Sequence, residues 1–351
     1  MIKHIKSFMP KFPPGKLPMS IMNDIIKKYL TPDPKIKSSK KVIFGPHTGQ
    51  DVAVIDMGEK YLVFKSDPIT FTSNSIGSYV VNINANDIAT SGAKPIGFQA
   101  TILLPENKTD EIMVDKIFSD MRKTCDNFGI TITGGHTEIT IGLDRPIICG
   151  TMWGEVKKEE LVTTFGGKPG DALILTKGIA IEGMYIICKE KEDELIQNNI
   201  DLKIIENGQN LINNPGIDIV KEAQLVHNKY RIHAMHDPTE GGLAMGLVEM
   251  AQNCKCGVLI DNDAIPLISG MEKICEIYNI NPFGLIASGA LLLAVPKENA
   301  DDIVSFLDKN NITASKIGYL TPKPGIYSIK YSTGEIKPLN FSPIDEITKI
   351  F

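Results

Sequence analysis

The sequence predicts an α+β protein built from two domains. Three observations lead there. The chain has 351 residues, more than the ~100–200 of an ordinary domain. Strand-like and helix-like stretches follow one another without the regular βα alternation of a doubly wound sheet. A run of loop residues, Thr164-Phe165-Gly166-Gly167-Lys168-Pro169-Gly170-Asp171, breaks the pattern before Ala172-Leu173-Ile174-Leu175 restarts a strand. The expected divisions are a tail and helix over 1–40, a first domain over 41–165 and a second over 166–351.

Met19–Leu30 reads as a helix, with Ile21, Ile25, Ile26 and Leu30 on one face and Thr31-Pro32-Asp33-Pro34 ending it. Val42–Phe44, Val52–Ile55 and Tyr61–Phe64 read as strands, separated by Gly45-Pro46-His47-Thr48-Gly49 and Met57-Gly58-Glu59-Lys60, which have turn chemistry. A helix is expected over Ile76–Ser91, a strand over Phe98–Leu104 and a long helix over Thr109–Phe128. Ile130–Thr133 and Ile147–Val156 complete the first domain as strands. In the second, helices are expected at Gly183–Lys191, Gly216–Asn228, Thr239–Met250 and Asn299–Lys309, and strands at Gly257–Ile260 and Ala290–Val295.

Composition excludes several classes. A net charge of −5 gives no broad basic surface for nucleic acid or an anionic membrane. No stretch approaches the ~18 apolar residues of a membrane span, and the lysine-bearing N-terminus lacks the apolar core of a secretory signal. A cytoplasmic location is expected. The six cysteines show no CxxC spacing and sit mostly in apolar surroundings, so they read as reduced core residues. GxxxxGK[ST], GxGxxG after the first strand and HExxH are all missing. His227, His233 and His236 lack the partners of a zinc site.

Acidic residues recur where strands or helices meet polar turns. Asp51 closes Gly45-Pro46-His47-Thr48-Gly49-Gln50-Asp51, Asp67 lies in Ser66-Asp67-Pro68, and Asn86-Asp87 sits inside a helix. Gly134-Gly135-His136-Thr137-Glu138 follows a strand, and His236-Asp237-Pro238-Thr239-Glu240-Gly241-Gly242 opens a helix. Mg²⁺ takes carboxylate and phosphate oxygens, and glycine-rich turns and helix N-termini offer free N–H groups to phosphate. The set therefore suits phosphoryl transfer, in which positioning and charge neutralisation supply most of the rate. Each residue also has a plainer reading. Asp237 suits an N-cap, Asp67 a turn, and the glycine pair a tight bend. Asp87 in a partly apolar helix is harder to dismiss, because a buried carboxylate without a partner is costly.

These motifs resemble the AIR synthase-like superfamily: aminoimidazole ribonucleotide synthetase, selenophosphate synthetase, thiamine-monophosphate kinase and the hydrogenase maturation factor HypE. The likeness runs from about Gly15 to Pro338 and is nearest to the HypE branch. It rests on Gly45 with Gly49-Gln50-Asp51-Val52-Ala53-Val54-Ile55, on Asn86-Asp87-Ile88-Ala89 with Gly92-Ala93-Lys94-Pro95, and above all on His236 to Ala244. Ile260-Asp261 and Glu272 to Tyr278 extend it.

The resemblance implies an N-terminal sheet pairing with that of a second subunit in a homodimer, a C-terminal α/β domain, and ATP in the cleft between the halves. It implies Asp51, Asp67, Asp87 and Asp237 as Mg²⁺ ligands. Gly45, Gly49, Asn86, Gly134, Gly135, Thr137, Thr239, Gly241 and Gly242 would line the nucleotide site, with His136, Glu138 and Asp87 near the transferred group.

Two departures matter. HypE carries a terminal cysteine, whereas here the sequence continues past Pro338 to Phe351 with no cysteine after Cys275. Gly134-Gly135-His136 is closer to selenophosphate synthetase, yet no cysteine precedes Cys125 to act as its reactive thiol. The expected activity is HypE-related, Mg-ATP-dependent phosphoryl transfer to an oxygen of a small-molecule or protein-borne acceptor. The alternatives are a small-molecule kinase like thiamine-monophosphate kinase, and a non-catalytic nucleotide-binding partner of a maturation complex.

Overall fold

The computed structural model describes residues 17, 19–31, 40–46, 51–70, 72 and 74–351. Gly49 and most of the N-terminal tail lie outside the described residues. The first helix, α1, spans Met19–Ile25 and continues as a wider π-type turn to Leu30.

The N-terminal sheet contains β1 (Val42–Phe44), β2 (Ala53–Asp56), β3 (Lys60–Ile69), β4 (Lys94–Pro105), β5 (Thr131–Thr140) and β6 (Ile147–Lys157), in the order β1-β2-β3-β6-β4-β5. β4 and β5 run parallel, and the other neighbours run antiparallel. Side chains alternate along a strand, so Val63, Lys65, Asp67 and Ile69 share one face of β3. Val63 and Ile69 on that face are buried. Phe64, on the other face, lies 6.2 Å from Trp153 of β6.

Two helices cover this sheet, α2 (Ile76–Thr90) and α3 (Glu111–Phe128). Asp110 caps α3, its carboxylate accepting from Met113 N–H at 2.8 Å, and Gly129 ends it at φ 68°. α2 crosses α3 so closely that a Cβ on Gly77 would stand 2.2 Å from the Ile117 carbonyl oxygen. Most of α2 is buried on every side, the pattern of a helix covered from two directions. One cover is the N-terminal sheet. The other is the second half, which packs against Ala89 through Ile219, Ala223 and Val226.

The second half is built on β7 (Ala172–Thr176), β8 (Ala234–His236), β9 (Gly257–Asp261), β10 (Leu292–Val295), β11 (Ala314–Thr321), β12 (Tyr327–Lys330) and β13 (Ile336–Pro338). Their order is β13-β12-β9-β11-β7-β10-β8. Every residue of β7 and β10 is buried, which accounts for their uninterrupted apolar sequences. The helices here are α4 (Ile181–Glu190), α5 (Glu192–Gln197), α6 (Leu202–Gln209), α7 (Val220–His227), α8 (Gly242–Asn253), α9 (Met271–Tyr278) and α10 (Ala300–Lys309).

Three expectations are revised. β5 does not end at Thr133 but runs on through Gly134-Gly135-His136-Thr137-Glu138, pairing with β4 as far as Thr140. The glycines do not bend the chain there. Gly135, at φ 150°, lets the strand come close to β4, where a Cβ would stand 2.1 Å from the Ala100 carbonyl oxygen. α8 begins at Gly242 with Gly241 as its cap residue, so Asp237 is not its N-cap. α7 begins at Val220 rather than Gly216, after a cis Asn214-Pro215 peptide. All six cysteines are free thiols, four of them buried. Among the described residues, no helix is long and apolar enough to cross a membrane.

Candidate active site

Four elements converge where the halves meet. Lys65 and Asp67 project from one face of β3. α2 lies over that face, and the Asn84 carboxamide oxygen accepts from the Asp67 N–H at 3.0 Å. One turn on, Asp87 meets the same strand: Lys65 Nζ stands 3.1 Å from Asp67 Oδ2 and 3.3 Å from Asp87 Oδ2. Asp51 enters from the segment just before β2. His236 and Asp237 come from the end of β8 in the second half. Candidate ligand atoms of Asp51, His236 and Asp237 lie within 4.8 Å of one another.

His236 is buried between two carboxylates, with Nδ1 3.2 Å from Asp51 Oδ2 and Nε2 3.1 Å from Glu249 Oε2 on α8. Burial disfavours its charge, but the two acids outweigh burial and hold its pKa well above the ordinary value. Held at both ring nitrogens, His236 orients Asp51.

The carboxylates are crowded. Burial pushes Asp87 well above the usual range, Lys65 opposes this, and Asp237, Asp67 and Asp51 push further. Asp237 is raised to about 7, first by burial and then by Asp51, against His236 and Lys65. For Lys65 burial works against the charge, yet Asp87, Asp67, Asp51 and Asp237 together raise its pKa. Asp237 Oδ2 is buried and accepts no hydrogen bond, and the buried Asp87 Oδ2 faces the Lys65 ammonium at 3.3 Å. An orphaned carboxylate oxygen is expensive in a protein interior. Such an oxygen on Asp237, beside Asp51 in a cluster of acids, is what an oxygen-seeking divalent cation satisfies, so the residues present fit Mg²⁺.

The other sequence-derived candidates lie as follows. Asn86 is fully buried and spans the halves: Nδ2 donates to the Ile217 carbonyl and Oδ1 accepts from the Ile219 N–H, each at 2.9 Å. Thr239 accepts from Gly242 N–H at 3.0 Å and Ala287 N–H at 3.2 Å, while Gly241 N–H donates to Asp345 Oδ2 at 2.7 Å. Gly45 follows β1, where a Cβ would make only an ordinary contact with Val42 Cγ1 at 3.9 Å. Gly134, Gly135, His136, Thr137 and Glu138 form the exposed far edge of the sheet, with β6 and β4 between them and β3. His136 Nε2 and Glu138 Oε2 pair there at 3.2 Å. Within one chain the structure joins the four aspartates but does not bring the β5 residues to them.

Sequence reasoning missed Lys65, the clamp on His236, and Glu249. Lys65 had a signal, since a residue two before Asp67 on a strand shares its face. Glu249 had none, because its role depends on how α8 packs against β8.

A second buried acidic group lies beside the Thr239–Gly242 turn. Asp345 accepts from the N–H groups of Gly241, Ile286 and Ile347, and is raised to about 6 mainly by burial. Glu182, near the start of α4, is raised to about 7 by burial, with Ser288 hydrogen-bonded to it and Asp345 and Glu240 adding repulsion. A carboxyl raised on folding binds more protons in the native state between its unfolded and folded pKa values, so its stabilising contribution is lost as pH rises through the folded value. For Glu182 the window is 4.5 to about 7, with a contribution of at most about 3 kcal/mol at 1.36 kcal/mol per pKa unit. Urea denaturation at pH 5 and pH 8 should show lower stability at pH 8, and Glu182→Gln should flatten that slope. An unaltered slope in the variant would remove Glu182 from the account.

Residues 49–156 match the AIR synthase related protein N-terminal domain, and residues 168–330 match its C-terminal domain. A protein named for hydrogenase expression and formation in Methanocaldococcus jannaschii is 29% identical over 314 residues, covering 88% of each chain. Carbamoyl dehydratase HypE of Cupriavidus necator is 28% identical over 240 residues, 68% of this chain and 65% of its own. The crystal structure of HypE in complex with ATP superposes with a TM-score of 0.69 at 18% identity, over 94% of this chain and 96% of that one. With both domains matched and the two-half fold shared, the chain belongs to the AIR synthase related family and stands close to its HypE members.

Proposed function

We propose that this protein is a HypE-related, Mg²⁺- and ATP-dependent enzyme that activates or phosphorylates an oxygen of an acceptor molecule. The observation that carries this reading is the cluster of Asp51, Asp67, Asp87 and Asp237, drawn from both halves, with a buried Asp237 oxygen that accepts no hydrogen bond. These four residues would hold Mg²⁺, which when bound supplies positive charge to the nucleotide phosphates. The chain's own part is to keep the carboxylates in place. His236 orients Asp51, Asn84 fixes the backbone at Asp67, and Lys65 draws Asp67 and Asp87 together. The nucleotide would lie in the cleft between the halves, as the ATP-bound relative supports.

The β5 residues fit this reading through a homodimer. β5 is an edge strand with Ile139 and Ile141 exposed just beyond the Gly134–Glu138 segment. An exposed apolar edge favours pairing with another strand. Sheet pairing between two N-terminal halves would give Gly134, Gly135, His136, Thr137 and Glu138 a route to a nucleotide.

ADP release, measured with Mg²⁺ or EDTA against a panel of metabolites and carbamoylated peptides, tests the proposal. Mg²⁺-dependent release with one acceptor class is expected. A mass gain of one phosphoryl group on a phosphate-ester acceptor would identify a small-molecule kinase. Stabilisation by ATP with no ADP release from any acceptor would instead identify a non-catalytic nucleotide-binding partner.

A further inference from the structure

We infer that Lys65 is the resident cation of the carboxylate cluster, taking the cation position between Asp67 and Asp87 and leaving the Asp51–Asp237 side for a divalent ion to enter first. This rests on reading the four aspartates as Mg²⁺ ligands.

Lys65 shares a strand face with Asp67 and reaches Asp67 Oδ2 at 3.1 Å and Asp87 Oδ2 at 3.3 Å, with only 17% of its side chain exposed. Both contacts are ion pairs made by one ammonium on a four-carbon stem that can move. The imidazole of the cluster, His236, is paired with Asp51 and Glu249. Asp67 and Asp87 thus depend on Lys65 for neutralisation, while Asp237 keeps an orphaned oxygen beside Asp51. Like charges a few ångströms apart in a partly dehydrated site repel strongly. Lys65 lets the nucleotide-free protein fold around this cluster and limits the affinity with which it takes up metal.

The test is Mg²⁺ titration by calorimetry on nucleotide-free wild type, Lys65→Gln and Lys65→Arg, with thermal melts in EDTA and in Mg²⁺. Lys65→Gln should bind Mg²⁺ at least about tenfold more tightly, because one opposing charge is gone. It should melt lower than wild type in EDTA and recover in Mg²⁺, while Lys65→Arg should behave like wild type. A residue of merely structural importance would not tighten metal binding when lost. If Lys65→Gln does not fold without metal, the double variant Lys65→Gln/Asp87→Asn, which removes one charge of each sign, should fold in EDTA. Affinity in Lys65→Gln equal to or weaker than wild type, or a double variant that folds worse than Lys65→Gln, would overturn the inference. A wild type that binds no Mg²⁺ would overturn it together with the proposed function. Wild-type binding with Lys65→Gln unchanged would overturn only the role of Lys65.

Discussion

Asp87→Asn is expected to abolish Mg²⁺-dependent ATP turnover while the protein keeps its fold. Asparagine matches aspartate in size, so packing around α2 between the sheet and the second half is preserved. What changes is charge. Asp87 has only 7% of its side chain exposed, and burial together with three neighbouring carboxylates already disfavours its ionised form. Removing that charge relieves repulsion from Asp237, Asp67 and Asp51, and it leaves Lys65 still paired with Asp67. The net effect on stability should stay within about 1 kcal/mol. Turnover is different, because a neutral amide is a weak ligand for a hard divalent cation. A fall of more than about a hundredfold in ADP release is expected, equivalent to about 2.7 kcal/mol of transition-state stabilisation. Steady-state ADP release, alongside circular dichroism and a melting curve, decides the matter. Full activity in a folded Asp87→Asn variant would sink the metal assignment.

The next residue back, Asn86, should give the opposite result. Asn86→Ala is expected to cost stability first and activity only in consequence. Its carboxamide gives one hydrogen bond to the Ile217 carbonyl and takes one from the Ile219 N–H, all inside a fully buried contact between halves. Alanine leaves both backbone groups without partners in a space too tight for easy repair. Each orphaned buried group costs about 1–3 kcal/mol, and the lost side-chain contacts add to it. A loss of about 3–5 kcal/mol is expected, read as a lower urea midpoint. Stability within 1 kcal/mol of wild type would mean that the halves are held by other contacts.

Much of this arrangement could be read along the chain, and the limits have physical causes. The apolar runs of β7 and β10 and the long period of α3 identify themselves, because local pattern and tertiary burial agree. Asp51, Asp67 and Asp237 could be picked out as acids beside polar turns and Asp87 as an acid inside a partly apolar helix, and the fold brings them together. Whether Asp237 capped a helix could not be settled locally. That depended on α8 starting at Gly242, where Gly241 is held by Asp345, more than a hundred residues away. For the Gly134-Gly135 pair the sequence leaves a tight bend open, because paired glycines often bend a chain. Here the missing side chain of Gly135 lets β5 lie close to β4 instead. β8, at three residues, is too short for any periodicity to show, yet it delivers both His236 and Asp237.

The placement of Asn86 beside Asp87 bears on how such proteins can be recombined. A crossover in the loop between β6 and β7 looks like the natural seam for exchanging halves between relatives. The clasp, however, joins α2 of one half to the Ile217–Ile219 segment of the other. A chimera cut at that seam would keep each hydrophobic core intact and still mismatch the clasp, one residue from the carboxylate cluster. Productive hybrids should be those that inherit Asn86 and the segment around Ile217–Ile219 from the same parent.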